Sequence, residues 1–460
     1  MVRSFCVVAL VFSLSVTGFT VSAEEIVTTP ASVILERIKT AKEICERQSP
    51  SFVTEVVVTE RKKVVWKKVK DQKPKKVWQT IKVRSESVTA RPVVLCAFYE
   101  RDRSWHVIEI HGHYPQSGEF QFTVKTAGYR VERIYGKGIA RFSANAYLVT
   151  ERSEEKLIVY RYLHSWFPDE SLAKGNGPHL INDARFVSYT PLAPDLFSDE
   201  ILALGMRYLH GELMEAYREL RETGEPSKAF PQRLLADVID WRIPFSLAAN
   251  EQMDHDKFNV DEWSTTADVY AEFALDGPET FMWSFSNFRY RGRTEHAVGA
   301  MQFTNHAGTY DAVRRACPRA LLESNFLRGA QHLRNSLKAA ICLLDLELAR
   351  LPEVHALYQS NSLTGGVYPV IAYNAGAFAA RGAYKAILTN RIDLEKADLG
   401  LPEQVFIQKK RCTTCKKKNG QSALKVLPSE TEMYIKKYIY VLKFIEQFRS
   451  ELTSSPVSSK

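Results

Sequence analysis

The apolar residues of this chain keep one spacing in its first half and another in its second, and that change limits the possible folds more than any single motif. Over residues 51–167 they alternate and β-branched side chains dominate: Val53, Val56 to Val58, then Val64, Val65 and Trp66, then Val77, Gln79, Ile81 and Val83 on a two-residue period. Such alternation turns successive side chains to opposite faces of a strand. Further runs at 93–99, 106–111, 119–124 and 157–162, broken by Gly, Asp, Asn or Ser-Gly turns, extend the pattern into a small antiparallel sheet or barrel. After Asp195 the spacing becomes helical, through residues 200–220, 232–241, 331–350 and 431–448, with Leu337, Ile341, Leu344 and Leu348 on one stripe. The predicted fold class is therefore α+β, with a β-rich domain over residues 24–195 and an all-α domain over 196–460. Residues 190–199, with Pro191 and Pro194, are the expected linker.

The first residues point to a compartment. Arg3 precedes an apolar run from Phe5 to Leu14, and Val21-Ser22-Ala23 puts small residues where a secretory peptidase reads, before Glu24-Glu25. This predicts a signal peptide over residues 1–23, cleaved after Ala23, and a mature protein in the periplasm or secreted to the cell wall. A spanning helix needs about 20 apolar residues, so no integral membrane segment is expected in the mature protein. Cys6 lies inside the apolar run and is not placed for lipidation. With 45% hydrophobic and 25% charged residues, the chain has the balance of a folded globular protein. Lys and Arg number 62 against 53 Asp and Glu, a net +9 that favours anionic surfaces without choosing among them. The short basic stretches 61–63, 67–68 and 73–76 read as edge-strand and turn lysines that keep a sheet soluble, or as groups that meet an anionic polymer.

Six cysteines follow the expected cleavage position: Cys45 and Cys96, Cys317 and Cys342, and the pair Cys412 and Cys415. An even number in an oxidising compartment points to disulfides, and six allow 15 connectivities. Pairing within each neighbourhood is the expectation. Lys and Arg surround Cys412 and Cys415 and would favour a thiolate, but no thioredoxin-like pattern flanks them, so a local disulfide is expected there.

Three stretches of the helical half carry the functional reading. They are Gly299-Ala300-Met301-Gln302-Phe303-Thr304, Ala372-Tyr373-Asn374-Ala375-Gly376 and Pro428-Ser429-Glu430-Thr431-x-x-Tyr434-Ile435. In that order behind a signal peptide they resemble the motifs of the lytic transglycosylase family, over about residues 200–448. The resemblance implies a lysozyme-like α fold and cleavage of the MurNAc–GlcNAc β-1,4 bond of peptidoglycan. In that family one glutamate protonates the leaving oxygen and then helps the substrate's own C6 hydroxyl attack C1, leaving a 1,6-anhydro end. Glycosidases of the usual kind use two carboxylates instead.

A single acid must be protonated at neutral pH. At a pKa of about 4.3 only roughly 0.2% of a glutamate is, a deficit of about 3.7 kcal/mol, and burial can recover most of it. Glu251 fits best. Pro244 suits a first helical turn, and Pro244, Leu247 and Glu251 fall at i, i+3 and i+7, so the carboxyl shares a face with apolar residues on a helix ending near residues 253–255. The resemblance is inexact here, because Gln252 stands where the family commonly has serine and the distance to Gly299 requires an insertion. Glu279, after Gly277-Pro278, and Glu295, expected in a loop, are the competing acids.

Gly299 is small enough to let a saccharide or a neighbouring helix approach closely. Gln302 offers an amide to a sugar substituent, Tyr373 a phenol to the acid or a sugar, and Asn374 an amide to backbone or ligand. Met301 and Phe303 read as core, and Glu430 as a helix-start charge. His255, His296, His306 and His332 match no zinc signature, so neither metal nor cofactor is expected, and no nucleic-acid module is visible. The expected partners are peptidoglycan glycan strands and, through the first domain, an envelope protein. Two other readings remain at this point: a non-catalytic wall-binding or envelope-assembly protein on the same scaffold, and a hydrolytic muramidase using Asp254, Asp256 or Glu279 as a second carboxylate.

Overall fold

The computed structural model describes residues 30–69, 72–113, 121–132, 148–150, 155–166, 179–180, 185–191, 193–290, 293–304, 309–389, 429–449 and 452. The expected signal peptide, His306, Pro428 and the Cys412 and Cys415 pair lie outside these residues.

Alternation produces strands in the first half, all paired antiparallel: β1 (Val53–Val69), β2 (Gln72–Tyr99), β3 (Ser104–His113), β4 (Gln121–Val124), β5 (Tyr129–Val131), β6 (Leu148–Thr150), β7 (Ile158–Trp166), β8 (His179–Leu180) and β9 (Arg185–Tyr189). The main sheet runs β4-β3-β2-β7-β9, with β2 in its middle. One face of β2 buries Val93, Leu95 and Ala97 against Ile108, Ile110 and Val159. The other turns Val94, Cys96 and Phe98 onto Ile34, Ile38, Ala41 and Cys45 of a helix, α1 (Ala31–Glu46), for which the alternation of the first half left no place. A Cys45–Cys96 disulfide staples α1 to the sheet, as the expected neighbourhood pairing has it.

The second half is built of helices α2 (Asp199–Glu222), α3 (Arg242–Gln252), α4 (His255–Val260), α5 (Glu262–Asp276), α6 (Thr309–Ala316), α7 (Phe326–Gln331), α8 (Leu333–Ala349), α9 (His355–Ser360), α10 (Ser362–Ala375), α11 (Ala377–Thr389) and α12 (Ser429–Gln447). The fold is mixed α+β. Three expectations need correction. The predicted helix at 232–241 is a single 3₁₀ turn, Leu235–Asp237, because turns flank it and Leu234 just before it is held in an isolated antiparallel bridge with Pro226. A hairpin and short third strand, β10 (Phe285–Tyr290), β11 (Arg293–Val298) and β12 (Phe303–Thr304), interrupt the helical half. Cys317 and Cys342 are not disulfide-bonded: both are buried thiols in mutual contact, and burial followed by the hydrogen bond with Cys317 pushes the Cys342 thiol well above its usual range. Held in an apolar core, a protonated thiol packs as a small hydrophobe.

The expected linker does not hold two bodies apart. Leu196 on its 3₁₀ turn, Ile201 of α2, and Ala271 and Leu275 of α5 are buried in one cluster with α1 and the sheet. Beside this shared core Arg161 of β7, 2% exposed, makes an ion pair with Asp276, bonds Glu279 at 3.0 Å and Thr190 Oγ1 at 2.7 Å, and gives its Nε to Ser188 Oγ at 2.8 Å.

Candidate active site

Glu251 stands at the last turn of α3, which the sequence builds from Ile243, Pro244, Phe245, Leu247, Ala248 and Ala249, all buried. Its backbone is locked into this packed helix while the side chain keeps partial exposure at the helix end. Burial pushes its pKa up to about 7, against the lowering effects of a hydrogen bond from Tyr434 and the charge of Lys437. The Tyr434 hydroxyl, on α12, donates to Oε1. That leaves Oε2 as the oxygen free to carry or accept a proton. Lys437, one turn further on α12, donates to the carbonyls of Asn250 at 3.0 Å and Met253 at 2.8 Å, so it occupies the carbonyl end of α3 where a cation is favoured. Burial pulls its pKa down to about 8, with Glu251 opposing.

The turn that follows β11 is drawn against this helix end. Gln252 Nε2 donates to the carbonyls of Gly299 at 3.2 Å and Ala300 at 2.9 Å, and Gln252 Oε1 accepts from Ser284 Oγ at 2.7 Å. Gln252 thus clasps the Gly299 turn, and α4, α5, β10 and β11 make up the chain between the two. Gly299 has φ of 78°, and a Cβ there would lie 1.9 Å from the Ala330 carbonyl oxygen of α7. Of the two reasons expected for a small residue, close approach of a neighbouring helix is the one present.

Of the remaining predicted site residues, Gln302 and Tyr373 take structural partners. Gln302, itself at a φ of 49°, donates to Gly299 O at 2.8 Å and Ser284 Oγ at 3.1 Å and accepts from Ser286 Oγ at 2.7 Å. Its amide is engaged in holding the turn rather than presented to a ligand. The Tyr373 hydroxyl, on α10, donates to the Met301 carbonyl at 2.6 Å and so ties that helix to the same turn; burial and then the Glu251 charge raise its pKa well above the usual range. Tyr373 therefore neighbours the acid without hydrogen-bonding it. Asn374 is exposed on the final turn of α10. Met301 and Phe303 are buried core, as expected.

The competing acids are placed elsewhere. Glu279 is taken by Arg161 and by Lys42 of α1. Glu295 falls on strand β11 opposite Phe288 rather than in a loop. Asp254 and Asp256 are exposed, and Asp254 caps the N-terminus of α4 through the backbone N–H groups of Asp256 and Lys257 at 2.8 and 2.9 Å. Among the described residues no group of three or more His, Cys, Asp or Glu is arranged to hold a metal ion. His332 caps α8, accepting from Asn335 N at 3.3 Å, and His296 stacks on Phe285. A cavity of about 490 Å³ opens between Tyr217, Asp240, Trp241 and Tyr358, at the other end of α3. At 1.5 Å per residue that is on the order of 14 Å from Glu251, so it is separate from the carboxyl.

Tyr434 is the residue that sequence reasoning passed over. It lay within the third motif, but its role depends on α12 docking against the end of α3, which no local pattern shows. Compared with known proteins, the chain matches no family model, no curated protein and no solved structure.

Proposed function

We propose that this chain is an exported peptidoglycan lytic transglycosylase, with residues 196–460 forming a lysozyme-like domain and 24–195 an accessory domain. The observation that carries the reading is Glu251: one carboxyl, at the end of a buried helix, poised near neutrality by burial and held at one oxygen by Tyr434. A group that first donates and then accepts a proton at neutral pH works best with a pKa near that pH. Glu251 gives its proton to the glycosidic oxygen as the C1–O bond breaks, and the resulting carboxylate takes the proton of the C6 hydroxyl as O6 bonds to C1. The acid returns to its starting state and no water is consumed.

The surroundings of Glu251 support intramolecular attack over hydrolysis. A hydrolytic site wants a second carboxylate across the cleft, roughly 5–10 Å away. Glu279 is held in ion pairs with Arg161 and Lys42, and Asp254 is engaged as a helix cap. Gln302 and Tyr373, bonded to the Gly299–Phe303 turn, position the wall of the site rather than the glycan itself.

The test is to incubate purified mature protein and its Glu251→Gln variant with isolated peptidoglycan and to identify the soluble products by mass. Anhydro-muropeptides from the wild type and none from the variant are expected. Reducing-end products would turn the reading to a muramidase. An inert wild type that still sediments with sacculi would turn it to a glycan-binding scaffold.

A further inference from the structure

The β1–β2 hairpin projects as a two-stranded ribbon. Val56 pairs with Glu86 and the register continues unbroken to Lys67 opposite Lys75, a length on the order of 40 Å at about 3.4 Å per residue. None of its described side chains from 53 to 86 joins a hydrophobic core of the protein. An isolated two-stranded hairpin is marginally stable at best, so a ribbon of this length with both faces open is a surface built for contact.

Its composition says what kind of contact. Between residues 61 and 82 the sequence has ten Lys and Arg against a single acid, Asp71, a local balance of +9 that equals the formal net charge of the whole chain. Among the described residues, Arg61, Lys62, Lys63, Lys67, Lys75 and Lys76 are exposed and form no ion pair. Apolar groups share the ribbon with them. Trp66 is 64% exposed and Trp78 67%. Trp66 is paired with Lys76 and Val64 with Trp78, so both indoles, Val64, Lys62 and Lys76 lie on one face of the ribbon. The Lys76 ammonium sits 5.2 Å from the Trp66 ring centroid.

Charge by itself would suit any polyanion. Indoles and ammonium groups on one exposed face suit a phospholipid headgroup layer, where tryptophan rests between acyl chain and water and each lysine near an anionic surface adds favourable energy. We propose that the outer part of this ribbon docks on an anionic lipid bilayer, Trp66 and Trp78 entering the headgroup region, Lys62 and Lys76 on the same face meeting the phosphates, and Lys63 and Lys75 on the reverse face adding their charge to the attraction. Docking is peripheral: among the described residues no helix is long and apolar enough to cross a membrane. It is also independent of the chemistry at Glu251.

The experiment is co-sedimentation of the full mature chain with vesicles of equal parts phosphatidylglycerol and phosphatidylcholine, beside vesicles of phosphatidylcholine alone. Binding to the anionic vesicles should be at least about tenfold the stronger and should fall as salt is raised. The variant Lys62→Gln/Lys63→Gln/Lys75→Gln/Lys76→Gln should lose at least about tenfold in that affinity, and Trp66→Ala/Trp78→Ala should weaken it without removing the salt dependence. Both should melt like the wild type, since every substituted side chain is exposed. If the fourfold variant fails to fold, Lys75→Gln/Lys76→Gln carries the same comparison. Equal binding to both vesicles, no binding to either, or variants that bind as the wild type does would overturn the proposal. Ribbon-dependent binding to isolated sacculi without vesicle binding would overturn it too, in favour of a wall polymer.

Discussion

The hydroxyl of Tyr434 donates to Oε1 of Glu251, joining residues 183 positions apart in the chain. The bond favours the carboxylate, so it restrains the rise in pKa that burial imposes. Tyr434→Phe should therefore move the Glu251 pKa upward, and the alkaline edge of glycan cleavage with it. The maximal rate should fall by roughly ten- to a hundredfold as the acid loses its orientation. A pH–rate profile of wild type and variant checks both effects; a uniform fall with no movement of the edge would leave Tyr434 a packing residue only.

A raised acid also leaves a mark on stability. Between the ordinary glutamate pKa of 4.5 and the folded value of about 7, the native state holds a proton that the unfolded chain has released. Stability contributed by Glu251 is thus complete below about pH 4.5 and is lost as pH rises through 7. Glu251→Gln, which stays neutral, should gain on the wild type across that window and hold an advantage on the order of 3 kcal/mol at pH 8. Denaturant unfolding of both proteins at pH 4.5, 6 and 8 measures this, and parallel curves would refute it.

Gly299 meets the Ala330 carbonyl where any side chain would stand and adopts a φ of 78°. Gly299→Ala should destabilise by roughly 3 kcal/mol or more, through both the collision and the backbone strain. Because Gln252 clasps the same turn, Gln252→Ala should cost about 1–3 kcal/mol by stranding Ser284 and the turn carbonyls. Chemical denaturation of each variant gives the comparison, and Gly299→Ala should be the more severe.

Arg161 is a buried cation whose partners Asp276 and Glu279 come from the helical half and Ser188 and Thr190 from the strand side. Arg161→Ala leaves the Asp276 carboxylate, 6% exposed, without its counter-ion and should cost about 3–5 kcal/mol. Arg161→Ala/Asp276→Ala should recover part of that loss, which a double-mutant cycle by thermal or chemical unfolding would report.

The Cys45–Cys96 bridge closes a separation of 51 residues between α1 and β2. Replacing both by alanine should destabilise by roughly 4 kcal/mol on the chain-entropy account. Cys317 and Cys342, buried and unbridged, should react with a thiol reagent in denaturant but not in the folded protein.

Local periodicity settled the elements whose burial follows from neighbours in the chain: the alternation of Val56–Val58 and Val77–Val83 became β1 and β2, and the stripe of Leu337, Ile341, Leu344 and Leu348 became one buried face of α8. The short helix that carries Glu251 in its last turn was legible for the same reason, since Pro244 and Leu247 lie within two turns of it. The segment 232–241 shows the limit of that reasoning. Its residues Leu235, Ala236, Val238 and Ile239 are buried in a run of turns, and helix and buried loop have the same local composition.

What Gln302, Tyr373 and Glu279 do was decided only by the tertiary structure. Each offers a polar group that from sequence could serve a ligand, and each is claimed by a partner distant in the chain: Ser284 for Gln302, Met301 for Tyr373, Arg161 for Glu279. The position of Glu251 on a helix was written in its neighbours. Its pKa was not, because desolvation and the approach of Tyr434 and Lys437 arise from α12 packing against the end of α3. A helix forms from interactions a few residues apart, whereas the proton affinity of a buried carboxyl is set by whatever the fold brings within a few ångströms of it, however far away it lies in the chain.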